Sequence, residues 1–511
     1  PDKETVLTPW RVVNMHLSDC LGGYNFWNKK CDSMLDEPSY VNKGEITTNI
    51  FNESSKILEI NSKTGLYPLY IAYSIFRNKC NEYKEELTIN VQKKIWEDTI
   101  KNNIFIICKT PMAKQITQRT LMGYSNIKIN AHYLDDLINQ IQNKSEQFIE
   151  RILKNSYWKK GEGKMKFDAI VGNPPYQENI STSSKNVSLS KQLFPYFIMN
   201  AINLGADYVS LITPSRYFTG SSQDKSFIKL RDFLSENNHY REIYHYNNAN
   251  DIFKDVTIAG GVSYFLYEKG YLGNVSFTEF TNNLEVTAKR PLFENGLDVI
   301  ISMNGMISIL NKVRLSNNFI TMTEKTFGRD AFGIVGKQET LEKLTSKYYH
   351  NKAVEVFCAH EEIRYIDREK IEKNIDMIDK YKIFISKGNG GAGVINMEKA
   401  VTILGKAHIG KPNSVCTDSL IPIGPFETKE EVINLKKYMS TKFFRFMVGI
   451  LKTSQNIYQT VYQFVPLQEF SNNSDINWNK SISKIDIQLY KKYNLSEEEQ
   501  KFIEERIAVM E

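Results

Sequence analysis

At 511 residues the chain exceeds what one hydrophobic core fills, so two or three domains are expected, and 41 % apolar with 12 % aromatic residues excludes overall disorder. A formal charge of +6 is too mild to argue by itself for a nucleic-acid partner. Six cysteines, Cys20, Cys31, Cys80, Cys108, Cys358 and Cys416, form no Cys-x-x-Cys pair and no metal-ligand spacing, and no eighteen-residue apolar run or signal-peptide pattern occurs, so free thiols, a cytoplasmic location, no metal and no membrane partner are expected.

In chain order, Lys56 to about Lys269 alternates short apolar runs with longer amphipathic ones, the pattern of a sheet flanked by helices. Strands are predicted at Ile57–Ile60, Ile104–Cys108, Ile127–Ile129, Asp168–Gly172, Tyr208–Thr213, Glu242–Tyr246 and Val262–Tyr267. A helix is predicted over Gly65–Asn78, with Pro68 in its first turn, and another from the Thr110-Pro111 cap signal through Leu121. Glu82–Lys101 carries Leu87, Val91, Ile95 and Ile100 at helical spacing, which reads as a core-facing stripe. The dense basic run Arg151 to Lys166 reads as a solvated helix end and loop.

After about Glu285 the texture changes to Gly-rich turns, 388–393 and 405–410, between mixed strands and helices. Residues 1–285 are therefore taken as one α/β domain of Rossmann-like type, 286–490 as a mixed α+β domain, and 491–511 as a C-terminal helix, with Ser496 and Glu499 as its capping box. The chain opens on Pro rather than Met, so a trimmed start is expected.

The sharpest chemical signal is an apolar strand, Phe167 to Gly172, running into Asn173-Pro174-Pro175-Tyr176. Two consecutive prolines fix the backbone and remove amide donors, so carbonyl groups are presented outward. An exocyclic amine such as adenine N6 is a poor nucleophile because its lone pair is delocalised into the ring. Accepting its two hydrogens on the Asn173 side-chain oxygen and the Pro174 carbonyl returns electron density to nitrogen, while Tyr176 can stack on the base plane. The plainer alternative is a strand-ending turn with a packed tyrosine.

On these residues the chain resembles the adenine-N6 DNA methyltransferases of restriction–modification systems, in the order cofactor motifs, catalytic motif, target-recognition domain. The resemblance implies a Rossmann-like S-adenosylmethionine-dependent catalytic domain, duplex DNA as substrate, base flipping, and S-adenosyl-L-methionine as cofactor. It assigns Asn173, Pro174, Pro175 and Tyr176 to catalysis. Thr8-Pro9, within Thr8 to Val13 with Met15, is similar to the family's cofactor-lining Thr-Pro. Ile57 to Gly65 falls where the family has its strand, acidic residue and Gly-rich turn, which implies cofactor roles for Glu59, Asn61, Thr64 and Gly65, and for Asn173. A helix opening after such a turn offers free amide donors.

Two departures stand out. Lys63 replaces the first glycine of the usual turn, and the acidic residue that holds the ribose hydroxyls in the family is absent from Ile106-Ile107-Cys108-Lys109. The resemblance places Asp135 or Asp136 at the adenine end of the cofactor, with a helix-start role as the equal alternative. Downstream, Tyr208 to Tyr217 resembles the strand and loop after the catalytic motif. Asp251-Ile252-Phe253 with Val256 to Val262 resembles the segment whose aromatic residue stacks on the flipped base, which implies that role for Phe253; a core phenylalanine is the alternative. Arg216 and Lys225 are candidate phosphate contacts, and Lys387 to Gly393 and Lys406 to Lys411 candidate backbone-approaching loops.

Asn-Pro-Pro-Tyr also serves enzymes that methylate a protein glutamine amide, and the altered cofactor motifs leave open a non-catalytic DNA-binding subunit. The length that follows the first domain favours the DNA reading. The chain shows no clear acidic-acidic-Lys nuclease cluster, so any restriction nuclease is expected on another chain or in a missing N-terminal part.

Overall fold

The computed structural model describes residues 7–179, 190–220, 224–254, 258, 260–281, 284–294, 296–316, 319–336, 344–388, 395, 399–452 and 456–510. The chain divides into two compact units, Pro1–Ser302 and Met303–Glu511.

In the first unit a hairpin of β1 (Gly23–Trp27) and β2 (Met34–Val41) follows the helix Trp10–Cys20. The central sheet contains β3 (Ile57–Ser62), β4 (Ile104–Cys108), β5 (Asn130–Tyr133) and β6 (Ala169–Gly172). A short ribbon, β7 (Gln177–Asn179) with β8 (Ser190–Gln192), comes next in the chain. The sheet then adds β9 (Tyr208–Pro214), β10 (Tyr240–Tyr246), β11 (Val262–Glu268), β12 (Val275–Thr281) and β13 (Leu284–Arg290). Its order is β13-β12-β10-β11-β9-β6-β3-β4-β5. Strands β5, β4, β3, β6 and β9 run parallel, and β11 is inserted antiparallel between β9 and β10. The α/β, Rossmann-like methyltransferase expectation therefore holds for this unit.

Of the parallel strands, β4 and β6 read as unbroken apolar runs because both faces are covered. Along β4, Phe105 and Ile107 enter one core while Ile104, Ile106 and Cys108 enter the other. Strand order reverses between β3 and β6: the chain leaves β3 outward through β4 and β5, then returns to lay β6 on the other side. Such a reversal opens a crevice at the carboxyl ends of the two strands, where ligands of doubly wound sheets bind.

Three expectations about elements are corrected. The third strand is Asn130–Tyr133, not Ile127–Ile129: the Asn130 side chain donates to the carbonyls of Lys101 and Ile104 and pins the strand start, while the two isoleucines form a half-buried lead-in. Glu82–Lys101 is not one helix. One helix ends at Glu82 and another starts at Ile89, where the Thr88 hydroxyl accepts from the Val91 amide, and Leu87 lies exposed in the break. The first unit extends past Glu285, because that residue lies in β13 opposite Phe280 of β12, in a hairpin that continues the sheet. The Thr110 cap and the Ser496–Glu499 capping box form as expected.

The second unit holds two three-stranded sheets and several helices, the mixed α+β character expected. Strands β14 (Ala353–Phe357), β15 (Ile363–Asp367) and β18 (Ser414–Cys416) make one sheet, and β16 (Tyr381–Ser386), β17 (Ala407–Gly410) and β19 (Leu420–Phe426) the other. The 405–410 stretch is therefore largely strand, not open loop. A Cβ at Gly410 would come within 2.5 Å of the Phe384 ring, so packing accounts for that glycine. Of 388–393, only Gly388 lies within the described residues. The C-terminal helix is Glu497–Arg506 and belongs to this unit.

Candidate functional site

The site lies where β3 and β6 end side by side, with Glu59 opposite Val171 in register. From Asn61 (φ +71°), near the end of β3, the backbone turns through Gly65 (φ +77°) into the helix Leu66–Glu82. A side chain at Gly65 would be strained by that φ and would press on Thr117 at 3.1 Å, so the turn requires glycine there. The Thr64 carbonyl accepts from the Thr120 hydroxyl, which ties the turn to the next layer.

Beyond β6 the chain runs through buried Asn173, Pro174 and Pro175 to half-buried Tyr176, whose carbonyl accepts from the Leu193 amide. The Asn173 amide nitrogen donates to the Thr8 hydroxyl at 2.9 Å, joining the Asn-Pro-Pro-Tyr motif to the Thr-Pro motif. Its Oδ1 is buried with no partner among the described residues. Burial raises the Tyr176 hydroxyl far above the usual phenol range, with Asn173 acting in the opposite sense, so the ring is neutral.

Glu59 is 5 % exposed, and burial pushes its carboxyl up to about 7 against the lowering pull of Ser62 and Lys63. Burial likewise brings Lys63 down to about 8, opposed by Glu59 and helped by the like charge of Lys109. Glu59 Oε2 and Asn61 Nδ2 are both buried without protein partners. An acceptor, a donor and a further acceptor at Asn173 thus line the switch point, the complement of a zwitterionic head group and an exocyclic amine. At the end of β4, Cys108 stands beside Ser62, its thiol raised to about 12 by burial. The strand itself ends on Cys108, followed by Lys109, with the Glu59 carboxyl of β3 near enough to raise the thiol further.

The remaining candidates are placed as follows. Asp136 is at the N-cap of the helix Leu137–Asn143 and its carboxylate accepts from Gln140, while Asp135 beside it is exposed. Phe253 is 2 % exposed and packs in a hydrophobic core, so as it stands it offers no ring face to a base. Arg11 holds this segment through the carbonyls of Asp251 and Ile252. Of the downstream stretch, 255–257 and Ala259 lie outside the described residues. The Arg216 guanidinium lies over the Phe227 ring, and Lys225 is exposed ahead of the helix Ser226–Glu236. Sequence reading missed two residues in this region, His16 and Tyr67. Both are buried and hydrogen-bonded to each other, and neither belongs to a short motif that would have flagged it.

The first unit is a doubly wound sheet in which β11 and β13 run antiparallel, with an Asn-Pro-Pro-Tyr turn at its switch point, as the resemblance to the methyltransferases implies. Within it, residues 102–253, which include the whole of that turn, match the family model described as Eco57I restriction-modification methylase. An "uncharacterized adenine-specific methylase" of Mycoplasma pneumoniae (strain ATCC 29342 / M129 / Subtype 1) is 36 % identical over 149 residues. That alignment covers 28 % of this chain and 34 % of the relative, about a third of its length. Solved structures with partial likeness include the Type IIL restriction-modification enzyme MmeI in complex with DNA, at 11 % identity, 80 % of this chain, 61 % of that one and TM-score 0.45. A nuclease-deletion mutant of the Type ISP enzyme LlaGI in complex with a DNA substrate mimic shows 11 % identity, coverage of 96 % and 47 %, and TM-score 0.44. The type IIG restriction endonuclease BpuSI shows 12 %, 99 %, 66 % and 0.38. Residues 102–253 of the first unit are thus similar to a methylase domain of restriction–modification type. Among the described residues no group of His, Cys, Asp and Glu side chains could hold a metal, and no helix is long and apolar enough to cross a membrane.

Proposed function

We propose that this chain transfers a methyl group from S-adenosylmethionine to adenine N6 in duplex DNA, as the modification part of a restriction–modification system. The observation that carries the reading is the Asn173 Oδ1 atom, buried at the end of β6 with no protein partner while its amide nitrogen is held by Thr8. An acceptor so placed takes one hydrogen of an exocyclic amine, and the Pro174 carbonyl takes the other. Tyr176, half-buried and neutral, stacks on the base once it has left the duplex. The cofactor, when bound, supplies an electrophilic methyl group on sulfur. Glu59 and Asn61 would hold its amino-acid end, with Thr8, Pro9, Thr64 and Gly65 shaping the wall and Asp135 toward its adenine. The transfer needs no covalent enzyme intermediate and no catalytic cysteine.

The second unit is assigned to target recognition, and a restriction nuclease, if one acts with this chain, to a separate chain or segment. Incubating the protein with methyl-labelled cofactor and duplex DNA, with protein acceptors, or with no acceptor tests the reading. Label in DNA as N6-methyladenine at one sequence is expected. Label in glutamine, or in neither acceptor, would overturn it.

A further inference from the structure

Strands β3, β4 and β5 end side by side, with Ser62 opposite Cys108 and Cys108 opposite Tyr133. Between the rungs Ile60–Ile107 and Ser62–Cys108, β3 carries one extra residue, Asn61, whose positive φ marks a bulge beside the end of β4. Asn61 is 4 % exposed, and its side-chain nitrogen has no hydrogen-bond partner among the described residues. An orphan donor in such a crevice is satisfied by an acceptor from outside the protein.

Two cations stand at the same strand end. Lys109 follows Cys108 directly and is half-buried. Lys114 lies near the start of the helix Pro111–Met122, three positions before Thr117, so the two side chains share a helix face. Thr117 is fully buried and its hydroxyl lies 3.1 Å from that of Ser62, which fixes this face against the strand ends. The Lys114 ammonium accordingly sits 6.0 Å from the centroid of the Tyr133 ring, at the end of β5. Neither lysine makes a hydrogen bond or an ion pair among the described residues. Lys109 helps to lower Lys63, and Lys114 pulls the Cys108 thiol down against its burial, as cations close to this strand end would. Of the acids around the crevice, Glu59 is buried with its carboxyl raised to about 7, Asp136 accepts from Gln140, and Asp135 is exposed beyond β5.

In doubly wound sheets an acid beyond the Gly-turn strand accepts from the ribose hydroxyls, and a cation in its place accommodates a phosphate on the same ribose. The end of β4 has the second character: a thiol and two ammoniums, all donors. A phosphate dianion there gains charge-assisted hydrogen bonds that a neutral ribose cannot make.

We propose that this crevice also binds adenosine phosphorylated on its 2′ or 3′ hydroxyl, with the phosphate held by Lys109 and Lys114, and that such a nucleotide competes with S-adenosylmethionine. The proposal rests on the reading of the crevice as a cofactor site and adds to it a regulatory ligand. It also accounts for like charges gathered at one strand end.

The test titrates the full chain by calorimetry with S-adenosylhomocysteine, adenosine, and the 2′, 3′ and 5′ phosphates of adenosine. The 2′ or the 3′ phosphate should bind at least about tenfold more tightly than adenosine or the 5′ phosphate, the effect of one charge-assisted hydrogen bond. That advantage should shrink as salt rises, because the lysines are partly solvated. Saturating S-adenosylhomocysteine should raise the apparent Kd of the phosphorylated nucleoside.

Lys109→Glu and Lys114→Gln should each remove most of the advantage, and Lys109→Arg should keep it. Lys114→Gln carries the test if Lys109→Glu does not fold. Equal affinity for the 5′ phosphate and its isomers, with S-adenosylhomocysteine bound normally, would overturn the proposal and leave the cofactor reading standing. An advantage that survives in both lysine variants, or that S-adenosylhomocysteine does not compete away, would place the phosphate elsewhere and overturn it as well. Failure of wild type to bind either S-adenosylhomocysteine or adenosine would overturn the cofactor reading and the proposal together.

Discussion

The amide nitrogen of Asn173 donates to the hydroxyl of Thr8 at 2.9 Å across 165 positions of sequence, while the amide oxygen has no protein partner. That asymmetry implies that Asn173 contributes as an acceptor while charge builds on the attacking nitrogen, more than as a ground-state contact. Asn173→Ala should therefore lower turnover by about 10²–10³-fold, the usual effect of removing one preorganised hydrogen-bonding group. DNA affinity should change by less than about threefold, within the scatter of a single modest contact. Labelled-methyl kinetics beside fluorescence anisotropy measures both, and near-normal turnover would remove Asn173 from catalysis.

Glu59 gives the ligand-free protein a distinctive dependence on pH. Its carboxyl titrates near 4.5 when unfolded and near 7 when folded, so between these values the folded state holds a proton that the unfolded state has lost. Stability accordingly falls as pH rises from about 4.5 to about 7, by roughly 3 kcal/mol in total if Glu59 acts alone. Lys63 acts in the other direction at higher pH. Its folded value near 8 lies below the unfolded 10.5, so its penalty is relieved as pH rises through that window. A local minimum of stability is expected near pH 7–8. Glu59→Gln should raise the melting temperature there by several degrees and flatten the acidic limb, while weakening cofactor binding. Calorimetric melting from pH 5 to 9 checks the shape, and an unchanged acidic limb in the variant would count against a buried carboxyl held above its ordinary range.

The contrast between what was and was not legible in the sequence follows the same physics. Strands such as Ile104–Cys108 announce themselves because both faces are buried and every residue is apolar. The edge strand Asn130–Tyr133 carries one small buried residue, Ala131, and its start is set by an asparagine bonding to distant carbonyls, which no periodicity reveals. The β12–β13 hairpin was missed because β13 is largely exposed, so the alternation of apolar and polar residues along it marks no buried face. At the site, Asn173 to Tyr176 could be read from local chemistry. The partner that holds the Asn173 amide, Thr8, lies 165 positions away, and its proximity is a product of the fold alone. Phe253 shows the converse: its sequence context suggested an exposed stacking ring, and the helix Trp10–Cys20 with the sheet closes over it.

Arg445 offers a test of the second unit. The side chain is fully buried on the helix Lys442–Gly449 and donates to the carbonyls of Thr441, Ser440, Thr402 and Ala508, which gathers a helix start, a loop and the C-terminal segment around one guanidinium. Truncation leaves those carbonyls without their shared donor and opens a cavity. Arg445→Ala should cost about 3–5 kcal/mol, and Arg445→Lys at least about 2, because an ammonium cannot fork to four acceptors in a plane. Urea unfolding followed by tryptophan fluorescence reports it. A loss below about 1 kcal/mol for the alanine variant would mean that water or the backbone replaces the missing bonds.

The end of β4 bears on how cofactor and DNA act together. Where the methyltransferases this chain resembles place an acid for the ribose hydroxyls, it has buried Cys108 followed by Lys109, and neither side chain can accept two hydroxyl protons at neutral pH. The missing charge-assisted bonds are worth about 1.5–3 kcal/mol each, so the free protein should bind S-adenosylmethionine about one to two orders of magnitude more weakly than an enzyme that has them. Glu59, Asn61 and Asn173 still line the crevice, and Tyr176 borders both the base and the cofactor positions in the proposed arrangement. A base seated on Tyr176 would bury the cofactor's exposed side, so target duplex should tighten cofactor binding, and linkage requires the cofactor to tighten duplex binding by the same factor. Titration calorimetry with a non-transferring analogue, alone and with saturating target duplex, measures the coupling. A tenfold or greater increase is expected, with an equal increase for the duplex when the order is reversed. Tight binding without DNA would show that other groups replace the absent carboxylate, and no binding in either arm would turn the assignment from an enzyme toward a DNA-binding subunit.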